Sequence, residues 1–383
     1  MLSYAASIRR EIHMRPGIGF ELDDTLAILR RELGDIGVEY TEKYGKSSIV
    51  ATVNPEKSHF TIGIRADMDA LPITEECDVP YKSLYEGKMH ACGHDAHTAI
   101  ALATLKRIYE MREKISCRVK FIFQAAEEYA PSGAMLMARD GVMDEIDCIV
   151  GLHCAPGDNT GKVGIIYGPK NATSDGFYLD FFGKSSHAAA QQSGVDAIMM
   201  AVRAYTDIEF MIAKAFDAKS PIIFNVGSIH GGEANNIISS ECRMFCTLRT
   251  WSGEDATKAI EGIKKIIAAV ADTAGGRATF TQAKHYPIVK NNEAVTSLIE
   301  AAAAKVVGKE NILYIPRSMG GEDFSYFANL KPGCFFNLGT KHPDQTETHG
   351  VHTSRFDIDE DALDIGVDIM TQFVLDNQGG IKF

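Results

Sequence analysis

The stretch FTIGIRADMD, residues 60–69, runs a buried-looking strand straight into two carboxylates, Asp67 and Asp69. Its apolar residues form a short run with no helical spacing, as a strand covered on both faces would. In an open α/β sheet, ligands sit outside the carboxyl ends of the strands. The order strand-then-acid therefore marks a binding crevice. The same order recurs: VKFIFQ (119–124) leads to Glu127 and Glu128, CIVGL (148–152) to His153, and CFFNLG (334–339), one loop later, to His352. If these strands are neighbours, their polar groups converge.

Between the strands the spacing becomes helical. SIRREIHMRP stops before Pro16. DDTLAILRRELGDIG opens on acids and closes at Gly37. AHTAIALATLKRIYEMREK is a long helix. Strands alternating with helices predict an α/β domain with a mainly parallel mixed sheet. The style changes at GPKNATSDG (168–176), after which alternating strands and two long helices form an α+β unit. From residue 285 the α/β style resumes. The expected organisation is a catalytic domain of residues 1–175 and 285–383, with an inserted domain of residues 176–284.

The chain has 383 residues, too many for one core, and a net charge of −12, which argues against a nucleic-acid partner. No apolar run approaches the roughly 20 residues a membrane helix needs. The first sixteen residues turn charged too early for a signal peptide. Eight cysteines without a C-x-x-C pair indicate a cytoplasmic protein with reduced thiols.

The segment MHACGHDAHTA (89–99) supplies the remaining donors, Cys92 and His94, just before an expected helix. In an extended chain, residues two apart point the same way. Thiolate, imidazole and carboxylate together suit Zn, Mn, Co or Ni. Cys92, His94, Glu128, His153 and His352 exceed the three protein ligands usual for one catalytic ion, so two ions sharing ligands fit better. Glu127 and Glu128 are adjacent, so one can bind metal while the other faces the reacting water. His90 and His97 are expected to support the site rather than bind metal. A cysteine nucleophile at Cys92 would leave the carboxylates and histidines unexplained, as would a metal-binding protein without catalysis leave Glu127.

RADMDALP, MHACGHDAHTA, FQAAEE, GLH, GKSSHAA, GGEANNIIS, LRT, GGEDFSYF and HTSRF occur in that order along the chain. Together they resemble the cysteine-containing aminoacylase/hippurate-hydrolase branch of the di-metal amidohydrolase and carboxypeptidase family. That branch includes N-acetyl-diaminopimelate deacetylase and auxin-conjugate hydrolases. The resemblance implies a di-metal exopeptidase-like catalytic domain and a ferredoxin-like lid that carries a homodimer. It implies two divalent metal ions held by Cys92, His94, Glu128, His153 and His352. Glu127 matches the general acid–base, and Asp69 an aspartate behind the ligands. His187 matches a lid residue acting in the partner subunit's site. Asn236 and Arg249 match substrate-binding residues, Arg249 for the substrate carboxylate.

The implied reaction is hydrolysis of N-acyl amino acids, with a dipeptidase or carboxypeptidase as the alternative. Three positions depart from the wider pattern. Asp67-Met68-Asp69 replaces His-x-Asp, a change the cysteine branch shares. Gln191 stands where a proline is usual after the lid histidine, and Gly17 where a glutamate is usual.

Overall fold

The computed structural model describes residues 2–344 and 348–383. The chain forms two compact units. The first is Met1–Lys170, Val289–Pro316 and Asp323–Phe383. The second is Asn171–Ile288 together with Arg317–Glu322, so a short segment of the returning chain belongs with the insertion.

The first unit is built on an eight-stranded sheet. Its central strands are Arg118–Gln124, Thr61–Asp67, Cys148–Asn159 and Gly333–Lys341, in that order and mutually parallel. Antiparallel pairs lie outside this block, where Ile49–Val53 joins Arg118–Gln124 and Val163–Ile165 joins Gly333–Lys341. The sheet is thus mixed and mainly parallel. Its strands alternate between two cores. Phe121, Phe123, Val150 and Phe336 face one cluster, while Ile122, Ile149 and Phe335 face the other. Each such fully buried side chain contributes about 1.5–3 kcal/mol.

Helices Tyr4–His13, His94–Glu110, Glu293–Val307 and Asp361–Asn377 cover the larger core. Asp23–Ile36 begins with two acids and ends where Gly37 takes φ 81°, as the sequence leads one to expect. The four parallel strands run in the same direction, so their carboxyl ends, and the loops after them, gather at one edge of the sheet.

The second unit has a four-stranded sheet in the order Ile222–Gly231, Glu241–Thr250, Ser174–Phe182, Arg277–Tyr286. All three pairings are antiparallel. Helices Ala197–Ala215 and Gly253–Ala274 pack their apolar sides on one face of it. The chain order is βαββαβ, a ferredoxin-like plan. Among the described residues, no helix is long and apolar enough to cross a membrane.

Candidate metal centre

The sheet edge brings the five proposed ligands together. Donor atoms of Cys92, His94 and His153 all lie within 4.8 Å of one another, and so do those of Cys92, Glu128 and His352. Cys92 is common to both sets. Its Sγ is 3.4 Å from His153 Nε2, and His352 Nε2 is 2.8 Å from Glu128 Oε1. The convergence of Cys92 and His94 differs from the expected one. The chain is not extended there, because Gly93 caps the helix with φ 84° and His94 is already its first residue. A turn that only glycine adopts freely aims both side chains inward. A Cβ at Gly93 would also sit 3.1 Å from Cys154 Cβ.

Two other backbone devices fix the ligands. Asp69 accepts the main-chain N–H of Glu127 at 2.9 Å through Oδ1 and that of Glu128 at 3.1 Å through Oδ2. This clamp follows Ala126, whose φ is 52°. The glutamates therefore diverge on a tight turn rather than on a continuing strand. His352, with φ 65°, donates its N–H to Ala91 O at 2.7 Å, which ties the last ligand to the residue before Cys92.

Behind the ligands lies a buried polar network. His97 Nδ1 meets Asp67 Oδ1 at 2.6 Å, while His97 Nε2 accepts the Cys154 N–H at 2.9 Å. Both ring nitrogens are thus used, which accounts for His97 as a supporting residue. Arg65 donates to Asp67 Oδ2 at 2.7 Å and to Asp323 Oδ1 at 2.6 Å. Gln124 Nε2 donates to Asp323 Oδ2 at 2.7 Å, and Asp323 N–H reaches Glu127 Oε1 at 3.3 Å. Arg65 and Gln124 were not picked out from the sequence. The available signal was a lone charge inside the apolar run before Asp67. His90 is fully buried, and neither ring nitrogen has a hydrogen-bond partner among the described residues.

The electrostatics favour a cation. Burial opposes charge on His94, but Asp67 and then Cys92 outweigh it and lift its pKa well above the ordinary imidazole value. Burial alone would raise Asp67; Arg65, His94 and His97 instead hold it well below the usual carboxylate range. His153 is pushed down to about 3, chiefly by burial, so its ring is neutral at neutral pH. Its Nδ1 meets Cys154 O at 2.7 Å, the side that then carries the proton, which leaves the Nε2 lone pair toward Cys92. Burial pushes the Cys92 thiol up, so a thiolate there needs a positive partner. His94 Nδ1 is buried and faces Asp69 Oδ1 at 3.4 Å. Thiol, imidazole and carboxylate donors gathered within 4.8 Å in each group, among them the thiol and imidazoles of Cys92, His94 and His153, fit a divalent transition metal.

In the second unit, His187 and Asn236 come together on a two-stranded ribbon. Ile237 pairs with His187, and Ala188 N–H donates to Asn236 O at 2.9 Å. His187 Nδ1 accepts the Ala189 N–H at 3.1 Å, so in the neutral ring Nε2 carries the proton. Arg249 NH1 donates to Met319 O at 2.8 Å, a partner within its own unit.

Carboxylate, imidazole and thiol donors at the carboxyl edge of a mainly parallel sheet have the make-up of a metalloenzyme site. The model of peptidase family M20/M25/M40 matches residues 63–376, and the chain belongs to that family of enzymes. It is similar to N-acetyldiaminopimelate deacetylase of Priestia megaterium, 34% identical over 369 residues, covering 96% of each chain. It is also 32% identical over 365 residues to thermostable carboxypeptidase 2 of Saccharolobus solfataricus, covering 94% of this chain and 91% of that one. A solved dinuclear metal-binding peptidase of the M20 family from Bacillus subtilis superposes with TM-score 0.81 at 28% identity, over 97% of this chain and 96% of that one. The protein is an amidohydrolase, an enzyme that cleaves amide bonds.

Proposed function

We propose that the protein hydrolyses N-acyl amino acids to a carboxylic acid and a free amino acid. The observation that carries this reading is Glu127, buried beside the donor cluster and aimed by main-chain contacts on both sides. Cys92, His94, Glu128, His153 and His352 would hold two divalent ions (Zn, Mn, Co or Ni). Bound there, the ions supply Lewis acidity toward the acyl carbonyl and lower the pKa of water towards about 7.

Glu127 takes a proton from the attacking water as its oxygen adds to the acyl carbon. It then delivers that proton to the amide nitrogen as the C–N bond breaks. His187 Nε2–H is the donor for the developing oxyanion, and Asn236 beside it contacts the substrate. Asp69 keeps both glutamates in place. Arg249 meets the substrate carboxylate; its hydrogen bond to Met319 O leaves further N–H donors of the guanidinium for that task.

N-acetyl-diaminopimelate is a specific substrate candidate, supported by the deacetylase relative. The carboxypeptidase relative supports a peptide substrate as the second reading. The deciding experiment compares N-acetyl, N-benzoyl and N-acetyl-diaminopimelate substrates with dipeptides and N-blocked peptides on metal-loaded protein. A kcat/KM at least tenfold higher for acyl amino acids supports the first reading. The reverse order overturns it.

The active form is proposed to be a homodimer through the second unit. Helix Ala197–Ala215 exposes Met199, Val202, Tyr205 and Phe210, at 39–67% of their surface. Strand Ile222–Gly231 is an edge strand with Ile223 and Ile229 exposed. An unpaired edge beside an apolar helix row is a surface that a second copy can cover. The eight cysteines, all unpaired, support a reducing cytoplasmic setting.

A further inference from the structure

We propose that Arg65 and Asp323 are positioning residues for Glu127, joining the base to the metal-ligand network through one buried guanidinium. The proposal rests on the role of Glu127 in amide hydrolysis given above.

Arg65 is 2% exposed and lies in a strand that is otherwise apolar between Thr61 and Ala66. A buried ion pair seldom stabilises a fold more than an apolar side chain of similar size would. The sheet itself therefore has little use for an arginine here. Its position gives it another use.

On one side, NH1 holds Asp67 Oδ2 at 2.7 Å. Asp67 in turn holds His97, and His97 accepts the N–H of Cys154, the residue after His153. On the other side, NH2 holds Asp323 Oδ1 at 2.6 Å. Nε donates to Gln124 Oε1 at 2.8 Å, and Gln124 Nε2 donates to Asp323 Oδ2 at 2.7 Å. These three side chains close a ring, and Ala134 N–H also donates to Asp323 Oδ2 at 3.3 Å. With its carboxylate held from these directions, Asp323 has one orientation, and its main-chain N–H points at Glu127 Oε1 at 3.3 Å.

Asp69 fixes the Glu127 backbone from the opposite side. Glu127 is thereby held at its main chain by Asp69 and at its carboxylate by Asp323. The planar fork of Arg65 sets its distance from the His97 and His153 side. A lysine keeps the charge but cannot make the three directed contacts.

Asp323→Asn and Arg65→Lys are compared with wild type as metal-loaded enzymes. Each is expected to lower kcat by about 10- to 100-fold, the scale of a small misplacement of a reacting group, with KM nearly unchanged. Asp323→Asn should keep both ions and the absorption spectrum of the Co²⁺-substituted protein, because no ligand is touched. In protein without substrate, the Asp323 amide should exchange hydrogen at least tenfold faster in Glu127→Ala than in wild type.

Wild-type turnover in both positioning variants, at a temperature well below their melting, overturns the proposal. So does a loss of turnover that only tracks loss of metal. Equal amide exchange in Glu127→Ala and wild type removes the contact, whatever the substrate. If the wild type hydrolyses no acyl amino acid while the exchange difference is present, the functional reading fails and the contact stands.

Discussion

Cys92 Sγ and His153 Nε2 face each other at 3.4 Å, a buried thiol and a half-buried, neutral imidazole. Neither group can charge the other usefully. Burial raises the thiol, and His153, pushed down to about 3, is not a cation at neutral pH. A cysteine nucleophile needs a thiolate stabilised by a nearby charged histidine; His94 pulls the thiol that way, but burial outweighs it and the thiol stays raised. Chelation should therefore abolish activity, and divalent metal should restore it. Cys92→Ala should retain fewer than two ions per chain by elemental analysis and lose nearly all turnover. Full activity in a metal-free preparation would contradict this.

Glu127→Gln separates metal binding from proton transfer. The amide is the same size and still accepts the Asp323 N–H, but it cannot take a proton. Turnover should fall by about 10²–10⁴-fold, the usual weight of a positioned base. Metal content and KM should stay close to wild type. A variant that turns over at the wild-type rate would remove Glu127 from its role.

The framework was legible because its signals are local. Short apolar runs ending in Asp67, Glu127 and His153 mark strands and site in one pattern, and Gly37 and Pro16 mark helix ends. The three-residue strands Glu39–Thr41, Val163–Ile165 and Ile312–Tyr314 carry too few residues for a period and did not show. The ligand types were readable, but their geometry was not. An i, i+2 spacing implies an extended chain, whereas the left-handed turn at Gly93 does the aiming. Arg65 and Gln124 were hidden because their meaning lies in Asp323, 258 and 199 residues further along the chain. Such a contact leaves no trace in local spacing.

A second buried network gives a pH-dependent stability. His13 Nδ1 lies 2.7 Å from Asp95 Oδ2 and its Nε2 3.2 Å from Glu75 Oε1. Burial works against the imidazolium, but Asp95 and Glu75 outweigh it and raise His13 to about 9. The folded pKa lies above the unfolded value, so the stabilisation is complete below about pH 6.5 and is lost as pH rises through about 9. The contribution is up to about 3 kcal/mol. Denaturant midpoints of metal-saturated protein should fall over that window, and His13→Gln should flatten the fall. Parallel curves for the two proteins would refute the assignment.

Gly93 can be tested directly. Alanine there would hold φ 84° at a cost of about 1–3 kcal/mol and would press on Cys154. Gly93→Ala should melt at a lower temperature than wild type. It should also bind metal more weakly, because Cys92 and His94 flank the strained residue. Wild-type metal affinity in that variant would show that the turn does not set the ligand geometry.

The proposed action of His187 in the partner subunit's site predicts complementation. His187 is exposed, and the Ala189 N–H on its Nδ1 leaves Nε2–H to donate outward. His187→Ala alone should lower kcat by about 10²–10³-fold, the cost of one oxyanion donor. Glu127→Gln alone is equally inactive. When the two variants exchange subunits, each mixed dimer pairs an intact Glu127 on one chain with an intact His187 on the other. One of its two sites is then whole. At exchange equilibrium half the dimers are mixed, so activity should return to about a quarter of wild type. If His187 serves its own chain, every site in the mixture lacks one group and no activity returns. Mass spectrometry of differently labelled subunits establishes that exchange has occurred, so an inactive mixture would place His187 in cis.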